Sequence, residues 1–279
     1  MTALALSPLV ARYDHVLLDL DGCVYVGEDA TPGAVEALAA LRAAGKGVAF
    51  VTNDGRRSGE EYVRKLWGLG FKASLEEVVT VGGAVQHVLA ETERWRSAYV
   101  VGAAVMHRHV EEAGLKIVNG RDVPVPDVVV VAAHDDFTYG ELRGAVQAVV
   151  AGAALVCAGR DPVFPMPDGL WPGTGAVVAA VEAATGAVAE NLGKPAAQPF
   201  LTALERLGAG PASRTLVVGD RLDSDLAGAA AAGLDGAIVL TGATTAAEAR
   251  AAGVLGEDAG PAPVAVAASL AELVLGRAA

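Results

Sequence analysis

The feature that most restricts the fold of this chain is a regular alternation of two kinds of segment. Short apolar runs rich in β-branched residues, typical of buried strands, are separated by stretches rich in Ala and Leu, typical of helices. This alternation predicts an α/β fold, in which helices cover both faces of a doubly wound parallel sheet. The predicted strands are Val16–Leu20, Val48–Thr52, Tyr99–Val101, Val128–Ala132, Leu155–Cys157, Leu216–Gly219 and Ala237–Leu240.

The composition allows a large aliphatic core and restricts the class of partner. The chain has 279 residues, 53% hydrophobic and 5% aromatic, enough for one large domain or two smaller ones. A formal net charge of −12, without a run of Lys and Arg, argues against a nucleic-acid partner. It still allows an anionic substrate, because a metal ion and one or two cations can reverse the field inside a site.

The cysteines and the apolar stretches predict a cytoplasmic protein without a membrane partner. Cys23 and Cys157 have neither the spacing of a metal site nor that of a redox pair. The longest apolar stretch, Ala145–Ala158, is too short to cross a bilayer. The N-terminus lacks a basic start and its apolar run is broken at Pro8, so we expect no signal peptide.

Two carboxylates follow the first predicted strand. Asp19 and Asp21 lie in the sequence DLDGCVY, where the strand ends, and both can reach one site. An ionised aspartate can attack phosphorus as a nucleophile, and its neighbour can protonate the leaving oxygen and later deprotonate water. A turn with two solvated acids is the alternative interpretation.

Two further polar groups lie at the sheet edge where ligands bind in open α/β folds. Thr52 and Asn53 offer a hydroxyl and backbone N–H groups that suit a phosphoryl oxygen, although alone they are more typical of an ordinary polar loop. Lys194, in the sequence GKP, can neutralise a phosphoryl group and nearby acids. Taken alone, it is more typical of a surface lysine in a turn.

A cluster of acids follows the predicted strand Leu216–Gly219 in the sequence GDRLDSD. Acids at the end of a buried strand are costly without a cation, and hard oxygen ligands of this kind suit Mg²⁺. The alternative is a helix start at which the helix dipole favours acids. Asp223 fits that alternative well, whereas Asp220 and Asp225 fit it less well.

Together DLDG, VTN, GKP and GDRLDSD, in this order, resemble the four motifs of the haloacid dehalogenase (HAD) superfamily. The chain looks most like the type IIA, NagD-like branch, which includes p-nitrophenyl, phosphoglycolate and pyridoxal-phosphate phosphatases. Thr80–Val85, Ala98–Gly102 and Pro172–Gly186 also look like that branch, so the resemblance runs from about Asp14 to Gly242. It implies a phosphatase with a Rossmann-like core and an inserted α/β cap domain of type C2.

The resemblance implies roles for the acids that match these motifs. Asp19 would be the nucleophile and a ligand of Mg²⁺. Asp21 would be the general acid and base, with its backbone carbonyl on the metal. Asp220 would be the second carboxylate ligand, and Asp225 would orient metal-bound water.

The same resemblance implies that Thr52 and the N–H of Asn53 hold the phosphoryl group, with Lys194 beside them. Two positions depart from the branch. Cys23 stands where relatives more often carry Val or Thr, and we expect it to be buried and inert rather than a redox switch. Residues 54–57, with the sequence DGRR, replace the usual small residues after VTN, which leaves open which side chains flank the phosphate there.

The spacing of the motifs predicts an inserted domain. Only 33 positions separate Asp19 from Thr52 (52 − 19), whereas 142 separate Thr52 from Lys194 (194 − 52). A simple βα crossover needs far fewer residues, so we predict a catalytic core of residues 1–84 and 189–279 and a cap of residues 85–188. Such a cap would exclude water and select the leaving group.

The segment 159–175 is rich in Pro and Gly and is predicted to be a long structureless loop, and its part 159–173 is the candidate specificity element. Arg160 and Asp161 are its candidate substrate contacts. Solvated loop residues are the alternative for both.

These observations predict a Mg²⁺-dependent phosphatase of a small phosphorylated metabolite, whose identity the fold does not fix. A phosphotransferase or mutase that uses the same aspartyl phosphate is the first alternative, and a non-catalytic metabolite-binding protein is the second. The second would be expected to lack a motif residue, and none is lacking. Relatives of the branch often pair through their caps, so a homodimer is also predicted.

Overall fold

A computed structural model describes residues 5–120, 124–166, 169–210, 212–252 and 261–276. The strands within these residues are β1 (His15–Leu18), β2 (Tyr25–Val26), β3 (Asp29–Ala30), β4 (Gly47–Thr52), β5 (Val78–Thr80), β6 (Ser97–Val101), β7 (Lys116–Ile117), β8 (Val128–Val131), β9 (Ala154–Cys157), β10 (Val163–Met166), β11 (Gly169–Pro172), β12 (Glu190–Asn191), β13 (Thr215–Gly219), β14 (Asp235–Val239) and β15 (Ala265–Ala267).

The helices of the described residues follow the same chain order. They are α1 (Ala34–Ala43), α2 (Gly59–Gly68), α3 (Val81–Glu91), α4 (Ala104–Glu112), α5 (Tyr139–Val150), α6 (Thr174–Thr185), α7 (Gln198–Arg206), α8 (Ala227–Ala231), α9 (Ala246–Ala252) and α10 (Leu270–Leu275). A π-helical turn, Leu222–Leu226, leads into α8. Among the helices that the structure describes, none combines the length and the apolar character needed to cross a membrane.

The first of two compact units comprises the described residues of Met1–Thr52, Gly59–Val79 and Lys194–Ala279. Its six-stranded sheet has the order β15-β14-β13-β1-β4-β5. The central strand β1 pairs in parallel with β13 on one side and with β4 on the other. The prediction of an α/β fold with a parallel sheet is confirmed.

Residues of the central strands alternate between the two faces of this sheet. In β1, Val16 and Leu18 pack into one apolar cluster, whereas Leu17 packs into a second cluster with Phe200 of α7. The side chains of Val16, Leu17 and Leu18 are all fully buried. Burial on both faces explains why these strands form continuous apolar runs in the sequence rather than an alternating pattern.

The second compact unit comprises Asn53–Ser58 and the described residues of Thr80–Gly193. Its five-stranded sheet has the order β12-β9-β8-β6-β7, and its paired strands are parallel. This inserted unit is thus a second α/β layer structure with its own apolar clusters. The insertion predicted from the sequence spans residues 85–188, and the predicted core includes Asn53–Ser58.

The segment 159–173 is not structureless, and that prediction is wrong. Strands β10 and β11 pair antiparallel, with Phe164 opposite Trp171 and their ring centroids 6.4 Å apart. Proline lacks the N–H that a central strand needs, but a two-stranded hairpin tolerates it at edge positions. Because prolines are typical of loops, the hairpin was not predicted from the sequence. Residues 167 and 168 lie outside the described residues.

Candidate active site

Three of the predicted site residues follow the carboxyl ends of neighbouring strands in the first unit. Asp19 comes directly after β1, Thr52 ends β4, and Asp220 comes directly after β13. The N–H of Asp19 donates to the carbonyl of Val218 at 2.8 Å, which continues the pairing of β1 with β13. Because these strands are parallel and adjacent, their polar ends share one edge of the sheet.

A buried lysine joins two of the acids. The ammonium of Lys194 donates to Oδ1 of Asp19 and to Oδ1 of Asp225, the latter at 2.6 Å, and also to the carbonyl of Val51 at 3.3 Å. The side chains of Lys194 and Asp225 are 3% and 2% exposed. Lys194 is therefore not a surface residue, and its three N–H donors are fixed by oxygen acceptors.

Backbone N–H groups hold two further carboxylate oxygens. The N–H of Arg221 donates to Oδ2 of Asp225 at 3.1 Å, so both oxygens of Asp225 have protein donors. The N–H of Ala243 donates to Oδ2 of Asp220 at 2.6 Å. These bonds orient each carboxylate and reduce the cost of burying it.

Burial and mutual repulsion perturb the ionisation of this cluster. Burial raises the pKa of Asp19 to about 8, with the Asp225 and Asp220 charges adding to the shift against the opposing effect of Lys194. Burial and the charge of Asp225 raise the pKa of Asp220 to about 6. Burial acts to lower the pKa of Lys194, but the carboxylates of Asp19 and Asp225 outweigh it and raise that pKa, so the amine stays charged.

Three glycines make room for the carboxylates, a role that was not predicted from the sequence. A Cβ on Gly242 would lie 2.0 Å from Oδ2 of Asp220, and a Cβ on Gly22, which has a φ of +85°, would lie 2.4 Å from the same oxygen. A Cβ on Gly219 would lie 2.2 Å from Cγ of Asp225. Gly22 and Gly219 stand inside recognised motifs, but no sequence signal indicated Gly242.

Asp21 lies on the tight turn that follows Asp19 and is exposed, unlike the other acids of the site. The N–H of Gly22 donates to the carbonyl of Tyr25 at 2.8 Å, and Asp21 forms a β-bridge with Tyr25. The hydroxyl of Thr241 donates to the carbonyl of Gly22 at 2.5 Å. The backbone at Asp21 is thus fixed while its side chain is accessible.

The predicted phosphate-binding and specificity residues fall in both units. Thr52 is buried in the first unit. In the second unit, the amide Nδ2 of Asn53 donates to Oδ2 of Asp161 at 3.1 Å. Arg160 binds the carboxylate of Glu182 at 2.8 Å and the carbonyl of Ala189 at 2.7 Å. Arg160 and Asp161 therefore have protein partners that fix the base of the β10–β11 hairpin.

The donor set fits a hard divalent cation. One ligand oxygen from each of Asp19, Asp220 and Asp225 lies within 4.8 Å of the others. One ammonium cannot balance three buried carboxylates, so a bound cation would relieve the excess negative charge. Among the described residues, protein donors engage Oδ1 of Asp19 and Oδ2 of Asp220. The other oxygen of each remains for a metal, whereas Asp225 has both oxygens occupied.

Comparison with known families gives two matches along the chain. A family model described as haloacid dehalogenase-like hydrolase matches residues 16–116, and a second, HAD-hydrolase-like model matches residues 191–273. Together they contain the segments that carry Asp19, Thr52, Lys194 and Asp220.

Individual relatives match over most of the chain. A D-glycerol 3-phosphate phosphatase of Mycobacterium tuberculosis is 38% identical over 242 residues, which cover 86% of this chain and 67% of that protein. An acid sugar phosphatase of Staphylococcus aureus is 33% identical, over 84% of this chain and 89% of that protein. A crystal structure of a glycerol phosphate phosphatase from M. tuberculosis in complex with magnesium has a TM-score of 0.85 and 36% identity, over 95% of this chain and 78% of that one.

Proposed function

The chain belongs to the haloacid dehalogenase-like hydrolases and is a phosphatase, and we propose that it cleaves small phosphorylated polyols or sugars through a phosphoenzyme on Asp19. The observation that carries this proposal is the buried cluster in which Lys194 joins Asp19 to Asp225 beside Asp220. It supplies a nucleophile, a fixed cation and oxygen ligands at one sheet edge.

The first step transfers the phosphoryl group to the protein. A carboxylate oxygen of Asp19 forms a bond to phosphorus while the bond from phosphorus to the leaving oxygen breaks. Asp21, whose side chain is exposed on the turn after Asp19, gives its proton to that leaving oxygen. The products are an aspartyl phosphate at position 19 and the free alcohol.

The second step regenerates the free carboxylate of Asp19. Asp21, now ionised, takes a proton from a water molecule whose oxygen attacks phosphorus. The bond between phosphorus and Asp19 breaks, which releases inorganic phosphate and restores the carboxylate. Lys194 keeps Asp19 oriented through both steps, and Thr52 with the N–H of Asn53 holds the phosphoryl oxygens.

Magnesium is the cofactor that this donor set fits. Asp19, the backbone carbonyl of Asp21 and Asp220 would hold it, and Asp225, whose oxygens are engaged by Lys194 and Arg221, would orient a water beside it. When bound, the ion neutralises charge on the transferring phosphoryl group. The similar glycerol phosphate phosphatase from M. tuberculosis, whose structure is in complex with magnesium, supports this assignment.

The inserted unit, Thr80–Gly193, is proposed to act as the cap that excludes water and selects the leaving group. Its β10–β11 hairpin presents exposed apolar side chains, Val163 and Leu170 among them. The names of the two relatives support a polyol or sugar phosphate as the substrate class. A homodimer through this unit and a cytoplasmic location remain predictions.

A panel of phosphorylated metabolites tests the proposal. Phosphate release is measured with glycerol phosphates, sugar phosphates, phosphoglycolate, pyridoxal phosphate and nucleoside monophosphates, each with Mg²⁺ and with EDTA. We expect Mg²⁺-dependent turnover that is highest for polyol or sugar phosphates. Equal turnover by the wild type and by Asp19→Asn would reject the mechanism. Added alcohol acceptors in the same assay would reveal a transferase through phosphorylated products.

A further inference from the structure

The turn that carries Asp21 is closed by the short hairpin that follows it. The carbonyl of Leu20 accepts the N–H groups of Val24 at 2.9 Å and of Tyr25 at 3.2 Å, and the carbonyl of Tyr25 accepts the N–H of Gly22 at 2.8 Å. Tyr25 also pairs with Ala30 in the two-residue ladder that joins β2 to β3. The backbone position of Asp21 therefore depends on where Tyr25 is held.

Tyr25 packs into an apolar cluster of the first unit and is also contacted by a lysine from a different element. Lys65 extends from α2, and its ammonium lies 4.1 Å from the centroid of the Tyr25 ring. The same ammonium donates to the carbonyl of Gly27 at 2.7 Å, in the link between β2 and β3, and approaches the carboxylate of Glu28 at 3.2 Å. One cation thus fixes both the aromatic side chain and the backbone of the hairpin.

The burial of the participants shows which of these contacts matters. The side chain of Lys65 is 13% exposed, whereas that of Glu28 is 83% exposed, so the ion pair between them is weak. Tyr25 is 4% exposed, so the contact between ammonium and ring is largely shielded from water. The contact with the Tyr25 ring is therefore the best shielded of the three, whereas the bond to the carbonyl of Gly27 lies at an exposed residue.

We propose that Lys65 is a positioning residue for Asp21: by clamping Tyr25 and Gly27, it holds the turn at which the general acid meets the leaving oxygen. This inference rests on the proposed function, because it needs Asp21 to donate that proton. Lys65 itself has no contact with the reacting atoms in this account. A general acid typically accelerates its step by roughly 100- to 10,000-fold, and a misplaced acid loses part of that acceleration.

A purely structural role for Lys65 predicts a different pattern. General destabilisation would lower activity towards all substrates alike. Loss of proton donation is selective, because p-nitrophenolate leaves without protonation whereas an alkoxide does not. The comparison of a nitrophenyl ester with an alkyl ester therefore separates the two roles.

The test measures kcat/KM of the Mg²⁺-loaded full chain for p-nitrophenyl phosphate and for glycerol 3-phosphate, since kcat/KM includes the step in which the alcohol leaves. The variants are Lys65→Met, Lys65→Gln and Lys65→Arg, with Asp21→Asn as the reference for loss of the acid. Arg64→Met is the matched control, because Arg64 is a cation exposed on the same helix. Circular dichroism and thermal unfolding verify that each variant is folded.

For Lys65→Met we expect a loss of about 10-fold with glycerol 3-phosphate and of less than about 2-fold with p-nitrophenyl phosphate, a smaller version of the Asp21→Asn pattern. Lys65→Arg should recover most of the loss, and Arg64→Met should change neither value. Equal losses with both esters, or no loss with either, would overturn the inference. If Lys65→Met does not fold, Lys65→Gln decides by the same criterion.

Failure of the proposed function gives a separate signal. If Asp21→Asn lowers kcat/KM equally for both esters, Asp21 is not the acid, and the mechanism fails whatever Lys65 does. If Asp21→Asn discriminates between the esters and Lys65→Met does not, only the positioning role of Lys65 is rejected.

Discussion

The carboxyl edge of the six-stranded sheet and the β10–β11 hairpin are built in opposite ways. At the sheet edge, Lys194 and Asp225 are almost completely buried, and directed hydrogen bonds from Lys194 and from the N–H of Arg221 hold both oxygens of Asp225. In the hairpin, Leu170 is 70% exposed, and the guanidinium of Arg56 lies 4.1 Å from the centroid of the Phe164 ring. That stacking contact is less directional than a hydrogen bond.

The contrast fits the proposed division, with chemistry at the sheet edge and selection of the leaving group at the hairpin. Phosphoryl transfer needs its groups held to fractions of an ångström, which buried and hydrogen-bonded carboxylates provide. Recognition of a leaving group needs a surface that can vary without disturbing that geometry. Exposed apolar side chains on a two-stranded hairpin meet this need, because substitutions there leave both sheets intact.

The largest effect should come from the sheet edge. Asp19→Asn removes the proposed nucleophile and should lower kcat by at least about 1,000-fold, because the proposed mechanism forms the phosphoenzyme on that carboxylate. The matched control is Asp223→Asn, at an exposed acid paired with Arg221 in the same motif. Steady-state assays should show the control within about 2-fold of the wild type. Comparable losses in both variants would contradict the assignment of the site.

The effects of magnesium and of pH on the stability of the folded protein should be intermediate in size. In the metal-free protein the raised pKa values of Asp19, about 8, and Asp220, about 6, mean that the folded state holds protons that the unfolded state releases near pH 4. Their contribution to stability is full below pH 4 and is lost as the pH rises towards 8.

Magnesium binds the ionised carboxylates, so its stabilising effect should grow over the same interval. At 100 times the Kd it adds about 2.7 kcal/mol, which corresponds to a rise in Tm of roughly 5 °C or more. Thermal unfolding with and without Mg²⁺ should show a larger rise at pH 8 than at pH 5.5, and a much smaller one in Asp220→Asn. A rise independent of pH would place the metal away from this cluster.

The smallest effect should come from the hairpin. Arg56→Ala removes the guanidinium from the Phe164 ring and from its ion pair with Asp54 at 2.9 Å; the ring contact is worth about 0.5–1 kcal/mol or somewhat more where it is partly shielded. We expect a change of about 2- to 5-fold in KM, with a kcat close to that of the wild type. Arg57→Ala, at the exposed neighbouring cation, is the control and should change neither constant. A large fall in kcat for Arg56→Ala would contradict the proposal that the sheet edge carries the chemistry and the hairpin only selects the substrate.

The strands could be predicted where burial is complete. β1, β4 and β13 lie inside the sheet, so their sequences are uninterrupted apolar runs. Short strands at or near sheet edges, such as β7 and β12 with two residues each, carry too few residues for a recognisable pattern. The β10–β11 hairpin was missed because its prolines are typical of loops.

The site could be predicted in part for a similar reason. Asp19, Lys194 and Asp220 stand in local motifs, and the topology that brings strand ends together was itself predictable. The fit of Gly242 against Asp220 and the bond from Asn53 to Asp161 depend on contacts between distant segments, the latter 108 positions apart. No local pattern encodes such contacts.

Trapping the phosphoenzyme tests the proposed role of Asp19 most directly. Enzyme turning over a polyol or sugar phosphate with Mg²⁺ is quenched in acid and reduced with borohydride, which converts an aspartyl phosphate into homoserine, and the peptides are then analysed by mass spectrometry. We predict homoserine at position 19 in the wild type and its absence in Asp19→Asn. Homoserine at position 220 or 225, or unmodified Asp19 during rapid turnover, would contradict the account.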